Sequence, residues 1–422
     1  NIVMGALETE PQRRYEGAAE LAEDLGRYLH HEPVQARPQT VPYRAFKFVR
    51  RHRGHVIAAA AVFVALSAGL AVSVHEARIA SSRQQQVRMM ADKLVFDVHD
   101  AVRDLPGSTK ARAVIVQTAL HYLDASVTSV RGDGPAEKEL ARAYRRLGDV
   151  QGDFRGANLG DSTGALARYR QAITLLDDAI RRTPGDVDAV AERLVLYDRI
   201  GTLHAVTGQL RDAVQTFEEG IRFGRPYATS NHSDVRGALS ALYVDCSDAK
   251  RNGNDYAAAL RDASEALQLS QGVAAAQPSE PAARYSLANA YAAVGMAESG
   301  LNQLDQALAH FRQGTAEMET LVASDPRNVS SKIYLALVNQ HLGDTYAAAA
   351  DVGRADQAYL RSADVAASGM KSGHASLQIL FIHANQRLAL NAVARGRRGE
   401  ALEFAGRALH AGEDPSGSGP LR

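Results

Sequence analysis

The 422-residue sequence predicts an all-α protein, an α-solenoid of about six helical hairpins preceded by one membrane-spanning helix and a short helical segment. Three observations predict this class. A small residue, an alanine and an aromatic residue recur at similar spacing from residue 148 onward. A run of nineteen uncharged residues lies near residue 65. Apolar residues before that run are spaced as on one face of a helix.

The segment at residues 1–36 predicts two helices around a proline turn. Ile2 and Ala6 mark the first helix, and Leu21 and Leu25 mark the second, each pair separated by about one helical turn. About thirty residues alone bury too little apolar surface to be stable. We therefore expect this segment to belong to a larger domain, most of which the sequence does not contain.

Residues 37–55 predict a basic linker, and residues 56–74 predict a transmembrane helix. Nineteen helical residues span about 28 Å, close to the hydrocarbon thickness of a bilayer. Lys and Arg are more numerous before this run than after it, which places the N-terminal side in the cytoplasm and the repeats outside it. The sequence therefore predicts a single-pass protein of the inner membrane. A buried core helix and a cleaved signal peptide are the alternatives.

Four small residues recur every four positions within the uncharged run. Small side chains at this spacing let two transmembrane helices approach closely, so the stripe predicts a homodimer face. Its members are Ala61, Ala65, Gly69 and Ser73.

Beyond the run, residues 75–136 predict a stalk and a helical cap, residues 137–411 a repeat domain and residues 412–422 a flexible tail. In the repeats, a glycine is followed by an alanine twelve residues later and by an aromatic residue four positions further on, and a five-residue insertion lengthens the first unit. The complete units contain Gly148, Ala165 and Tyr169; Gly201, Ala213 and Phe217; Gly295, Ala307 and Phe311; and Gly343, Ala355 and Tyr359. Two degenerate units contain Ser247, Ala259 and Ala263, and Ala389, Ala401 and Ala405.

This spacing resembles the tetratricopeptide repeat (TPR), in which each unit is a helical hairpin. The resemblance implies that the small residues let two helices approach and that the aromatic residue fills the gap to the next unit. The units here are longer than the usual period of about 34 residues, which implies longer helices or connections.

A second resemblance concerns protein kinases. IVMGALETEPQRRYEGAAELAEDLGRYL at the start of the chain resembles the C-terminal end of bacterial serine/threonine kinase domains, and Pro11 and Arg14 match a Pro-x-x-Arg element of that family. ELARAYRRLGDVQG at 139–152 resembles the repeats beyond the membrane in receptor-type kinases. The motifs that hold nucleotide are missing, so this chain should be inactive alone. It should hold no cofactor, and ATP and Mg²⁺ are implied only for the missing core.

Solenoids bind partners on their concave surface, so polar residues on the first helix of each unit are candidate ligand contacts. A solvated helix face is the alternative interpretation. The candidates are Arg142, Arg145, Asp149, Asp198, Asn289, Gln340, Asp344, His383 and Gln386.

Composition narrows the function classes. Basic and acidic residues number 48 each, which argues against nucleic acid as a partner, and the single cysteine, Cys246, excludes an internal disulfide. The preferred hypothesis is the membrane anchor and protein-binding or peptide-binding sensor region of a receptor kinase. The rivals are a membrane-tethered assembly scaffold with no kinase role and an enzyme acting through its own repeat domain.

Overall fold

The computed structural model describes residues 1–10, 12, 14–30, 32–36, 40–51, 54, 57–58, 61–70, 72–73, 109–152, 158–229, 232–370, 372 and 374–413. Throughout these ranges the regular structure is helical, with no strand, so the prediction of an all-α fold is confirmed there. The chain divides into two compact units, residues 1–94 and residues 95–422.

In the described part of the first unit, α1 spans Ile2–Ala6, α2 spans Ala18–Leu29 and α3 spans Val41–Arg51, and residues 61–70 are also helical. Asp24, buried on α2, accepts hydrogen bonds from the Tyr15 hydroxyl at 2.8 Å and from the backbone N–H groups of Gln35 and Ala36 at 2.6 and 3.1 Å. Burial raises the pKa of this carboxyl, but these donors and Arg27 outweigh burial and hold the pKa below its usual value. The Asp24 carboxylate therefore holds Gln35 and Ala36, which follow α2, against this helix.

The prediction of a transmembrane helix at 56–74 is wrong. Among the described residues, no helix combines the length and the apolar character needed to cross a bilayer. The prediction of a single-pass inner-membrane location is wrong for the same reason, and the predicted membrane partner is not supported.

The first helix described in the second unit is α4 (Thr109–Val130), which packs against the first of the six sequential helical hairpins described here. The predicted stalk at 75–108 lies outside the described residues, as does 414–422 of the predicted tail. The hairpins are α5 (Gly134–Gly152) with α6 (Ser162–Arg182), α7 (Val187–Val206) with α8 (Leu210–Gly224), α9 (Ser233–Asn252) with α10 (Tyr256–Ala276), α11 (Pro281–Gly300) with α12 (Leu304–Ser324), α13 (Val329–Ala348) with α14 (Val352–Met370), and α15 (Ala375–Ala394) with α16 (Arg398–Glu413).

Local capping residues explain where several of these helices begin. Each has an Asp or Asn at the N-cap, and its side-chain oxygen accepts a hydrogen bond from the backbone N–H three residues later. The pairs are Asp161 with Gly164, Asp186 with Ala189, Asp255 with Ala258, and Asn328 with Ser331.

The two helices of a hairpin meet where a glycine of the first helix faces the aromatic ring of the second. A Cβ atom added to Gly201 would lie 2.4 Å from the Phe217 ring, so only glycine fits at this contact. The same clash, at 2.5 to 3.0 Å, would arise between Gly148 and Tyr169, Gly295 and Phe311, and Gly343 and Tyr359. In the third hairpin the equivalent residues Ser247 and Ala263 are both buried.

The turns inside five hairpins share a backbone conformation. One residue, seven positions after the small residue of the first helix, has a positive φ of 59° to 81° and so ends that helix in the left-handed region. These residues are Gly208, Asn254, Asn302, Ala350 and Gly396. Alanine at position 350 is the least suited of them, because its Cβ crowds the following carbonyl in this conformation.

Candidate functional site

The predicted ligand face turns toward the neighbouring hairpin rather than toward open solvent. Between the first two hairpins, Arg145 Nε lies 2.5 Å from Glu192 Oε1, and Arg142 Nε lies 3.7 Å from the other oxygen of the same carboxylate. Asp149 pairs with Arg199 at 3.2 Å. Glu192 and Arg199 both belong to α7, so these candidates join first helix to first helix.

The same arrangement continues along the array. Asn289 on α11 accepts a hydrogen bond of 2.7 Å from the Tyr334 hydroxyl on α13. The amide of Gln340, buried on α13, donates to the backbone oxygen of Leu380 on α15 at 2.7 Å. Asp198 is buried on α7 and pairs with the adjacent Arg199 at 3.0 Å. Asn289 and Gln340 therefore connect neighbouring hairpins, which is a structural role the sequence pattern did not reveal.

Asp344 stands at the last of these joints. Its Oδ1 atom accepts a hydrogen bond of 2.6 Å from the Tyr359 hydroxyl and lies 3.3 Å from Arg387 Nε on α15. Burial and the bond to Asp344 both raise the pKa of Tyr359, so this hydroxyl stays protonated and remains a donor.

The remaining two candidates, His383 and Gln386, are exposed on α15. They occupy the repeat positions of Arg142 and Arg145, so they lie on the face that earlier first helices turn toward the next hairpin. Among the described residues, no hairpin follows the sixth. The face therefore stays open, and its polar residues are bordered by large apolar ones.

We call this open face the end surface. On α15 its members are spaced by four, three, four and three residues, and two leucines of α16 extend it. The end surface consists of Ile379, His383, Gln386, Leu390, Val393, Leu402 and Leu409. The five apolar side chains are 52% to 66% exposed, which is unusual for a set of neighbouring aliphatic residues.

A cavity of about 290 Å³ opens between the fifth and sixth hairpins beside this surface. Its lining combines amide, carboxylate, imidazole and guanidinium groups with one apolar side chain, a combination that can orient a polypeptide but carries no arranged catalytic set. The lining residues are Gln340, Asp344, Tyr359, His383, Gln386, Arg387 and Leu390. In the described part of the chain, no three His, Cys, Asp or Glu residues are grouped to hold a metal ion.

The other predicted site residues lie in the first unit. Arg14 donates hydrogen bonds to the backbone oxygens of Glu8 and Thr9, whereas Pro11 lies outside the described residues. The four residues of the small-residue stripe are helical and exposed, and a Cβ atom added to Gly69 would meet nothing within 4 Å.

Sequence reasoning missed Arg387, Leu390 and the two leucines of α16. One signal could have identified them. In the two units whose aromatic residue is tyrosine, the position equivalent to Leu390 is an aspartate, Asp149 or Asp344, which pairs with an arginine on the first helix of the next hairpin. A leucine at this position cannot form such an ion pair, so it indicates a different kind of contact.

No family model matches the chain, and no curated protein matches it in sequence. Similar solved structures include BtubC (BKLC) from P. vanneervenii, 14% identical over 60% of this chain and 92% of that chain, with a TM-score of 0.46. MamA from Desulfovibrio magneticus RS-1 is 19% identical over 56% of this chain and 96% of that one, with a TM-score of 0.29. YrrB, described as a TPR protein with an unusual peptide-binding site, is 17% identical over 63% and 99%, with a TM-score of 0.30.

These comparisons correct the second resemblance. The structural neighbours are TPR proteins and not kinases, and no kinase family model matches residues 1–36 or any other part of the chain. The predicted membership of a receptor-kinase family, with the kinase and transferase functions attached to it, is therefore wrong.

Proposed function

We propose that this chain is a protein-interaction scaffold of the TPR-like class that docks a helical segment of a partner protein on the end surface. The observation that carries the proposal is the exposed aliphatic set of α15 and α16, which lies on the face that earlier hairpins cover with a helix. An apolar row at alternating spacings of four and three residues is complementary to one face of an amphipathic helix.

The contacts between the fifth and sixth hairpins support a helix as the segment that binds the end surface. In the fifth hairpin, the positions equivalent to Leu402 and Leu409 are Asp356 and Ala363. Asp356 accepts a hydrogen bond of 2.7 Å from Asn391 of α15, and Ala363 is buried in the same apolar cluster as residues of α15. A helix therefore occupies this face wherever a further hairpin follows.

The polar members of the surface would set the register of the bound helix. Gln386 presents an amide that can both donate and accept, and Arg387 already pairs with Asp344 beside the cavity. A partner helix with apolar residues at heptad spacing and a polar residue opposite Gln386 fits this arrangement.

The test uses the full chain and a display library of helical peptides with randomised heptad positions. A selected peptide should lose at least tenfold in affinity for Leu390→Glu, because a carboxylate would be buried without a partner. Val114→Glu is the matched control, since Val114 on α4 is as exposed as Leu390, at 62%, and lies at the other end of the array. The proposal fails if no peptide binds, or if binding is unchanged in both Leu390→Glu and Leu402→Glu.

A further inference from the structure

We infer that the end surface pairs with the end surface of a second copy of this chain, so that two arrays join through antiparallel α15 helices. This inference rests on the proposed function, because it identifies one helix that fills the same surface. Three observations on the structure select a second copy over other occupants.

The first observation is the symmetry of the row on α15. Gln386 is its central member, with His383 and Ile379 three and seven residues before it and Leu390 and Val393 four and seven residues after it. A two-fold axis at Gln386 places Ile379 opposite Val393 of the second copy and brings His383 within one residue of the position opposite Leu390. Both ends of the row then pair aliphatic with aliphatic residues, and the central amides face each other. An isologous interface requires such self-complementarity.

The second observation is charge. The row on α15 carries no Lys, Arg, Asp or Glu, and the nearest guanidinium, that of Arg387, is paired with Asp344 of its own chain at 3.3 Å. Bringing two copies together therefore opposes no unpaired like charges along the row. The first joint contrasts with this, because Arg142 and Arg145 there require the carboxylate of Glu192.

The third observation is the sequence that follows α16. The nine residues from 414 to 422 contain two prolines and two glycines, a composition that disfavours a further helix. This segment is therefore a poor source for the helix that covers the equivalent face of every earlier hairpin.

The size of the surface sets the expected affinity. Two neighbouring helices about 24 to 30 Å long present a face of roughly 500 Å² per copy, which places the pair near the lower limit for specific interfaces. We therefore expect a reversible dimer that dissociates on dilution through the micromolar range.

The first measurement is sedimentation of the full chain over a concentration series from about 1 to 200 μM. The wild type and Val114→Glu should shift from monomer to dimer within this range, whereas Leu390→Glu should remain monomeric. A monomer at every concentration would overturn the inference. If that monomer still binds a selected peptide through Leu390, the proposed function stands and only the second copy is excluded.

The second measurement tests the two-fold geometry. Cys246 is fully buried, so a thiol introduced on the surface is the one available to a short bismaleimide. Gln386→Cys should cross-link to itself, because position 386 lies on the axis. Ile379→Cys and Val393→Cys should cross-link to each other in a mixture and not to themselves. Self-linking at 379 with no linking at 386 would contradict the antiparallel pairing.

Discussion

The hydroxyl of Tyr359 donates a 2.6 Å hydrogen bond to Asp344, which is the residue directly after the glycine that Tyr359 covers. Tyr169 and Asp149 repeat this relationship in the first hairpin at 2.9 Å. Where the aromatic residue is phenylalanine, at positions 217 and 311, the residue after the glycine is Thr202 or Met296. The aromatic residue and the position after the glycine are therefore matched within each hairpin.

This matching predicts that removing a hydroxyl from one hairpin and adding a hydroxyl to another both lower stability. Tyr359→Phe should destabilise the fold by about 1 kcal/mol, because Asp344 loses a donor but stays partly hydrated. Phe311→Tyr should also destabilise it, since the new hydroxyl would be buried beside Met296 without a carboxylate. Urea unfolding followed by circular dichroism measures both. A stabilising Phe311→Tyr would show that a hydroxyl is accommodated without the matched acid.

The close contact at Gly201 predicts that replacing this glycine by alanine lowers the stability of the fold. Gly201→Ala should lower stability by about 1 to 3 kcal/mol, because the added Cβ overlaps the buried Phe217 ring. Gly237 is the matched control, as it is also in a helix but has nothing within 4 Å of an added Cβ. Gly237→Ala should raise stability by about 0.5 to 1 kcal/mol through helix propensity. Equal shifts in the urea midpoint would contradict the packing assigned to Gly201.

The left-handed turn residue predicts a stabilising substitution. Ala350→Gly should raise stability by about 0.5 to 1 kcal/mol, because it relieves the Cβ clash at a φ of 59°. Gly208→Ala, at the equivalent position with a φ of 81°, should have the opposite sign. Thermal unfolding of the two variants measures the difference. A loss of stability in Ala350→Gly would mean that the turn does not hold this conformation.

Burial of His341 predicts a loss of stability in acid. Burial and the neighbouring Arg251 lower the pKa of this imidazole below its ordinary value of 6.5, although Asp344 opposes the shift. Because the unfolded chain then binds the proton more readily, stability should fall as pH decreases below about 6.5 and level off below the folded pKa. His341→Gln should flatten this dependence between pH 7.5 and 5.5, whereas replacement of the exposed His374 should not. An unchanged slope in His341→Gln would contradict the assignment.

The ion pair between Arg145 and Glu192 predicts measurable coupling between the first two hairpins. Both side chains are less than one-fifth exposed, so removing one partner leaves a poorly hydrated charge. A double-mutant cycle with Arg145→Met and Glu192→Gln should give a coupling energy of about 1 kcal/mol or more. The exposed pair of Arg397 and Glu400 should give less than about 0.5 kcal/mol. If the coupling energy between Arg145 and Glu192 were as small as that of the exposed pair, this ion pair would not contribute to holding the two hairpins together.

The helical class and the positions of the hairpins could be predicted because they depend on local spacing. Gly343 and Tyr359, for example, are sixteen residues apart, a distance that a hairpin with a short turn brings together. The ligand face could not be predicted in the same way. Helical periodicity places Arg142 and Arg145 on one face but does not say that the next hairpin covers it. Glu192, which settles this, lies on a different helix.

The transmembrane helix was predicted from the absence of charge across residues 56–74. Among the described residues, no helix has the length and apolar character that a membrane span needs. The end surface escaped notice because Leu390 and Leu402 resemble ordinary core leucines in sequence, and only the end of the described array exposes them.

The joints between hairpins also fix the order in which the units can follow one another. Asp149 is paired with Arg199 of the second hairpin, whereas the third hairpin carries Asp245 at the position equivalent to Arg199. Excising the second hairpin would bring two carboxylates together in place of an ion pair. Although the hairpins have similar backbones, exchanging or removing one of them would destabilise the array. The hairpins can therefore follow one another only in an order in which the charged residues of each hairpin match those of the next.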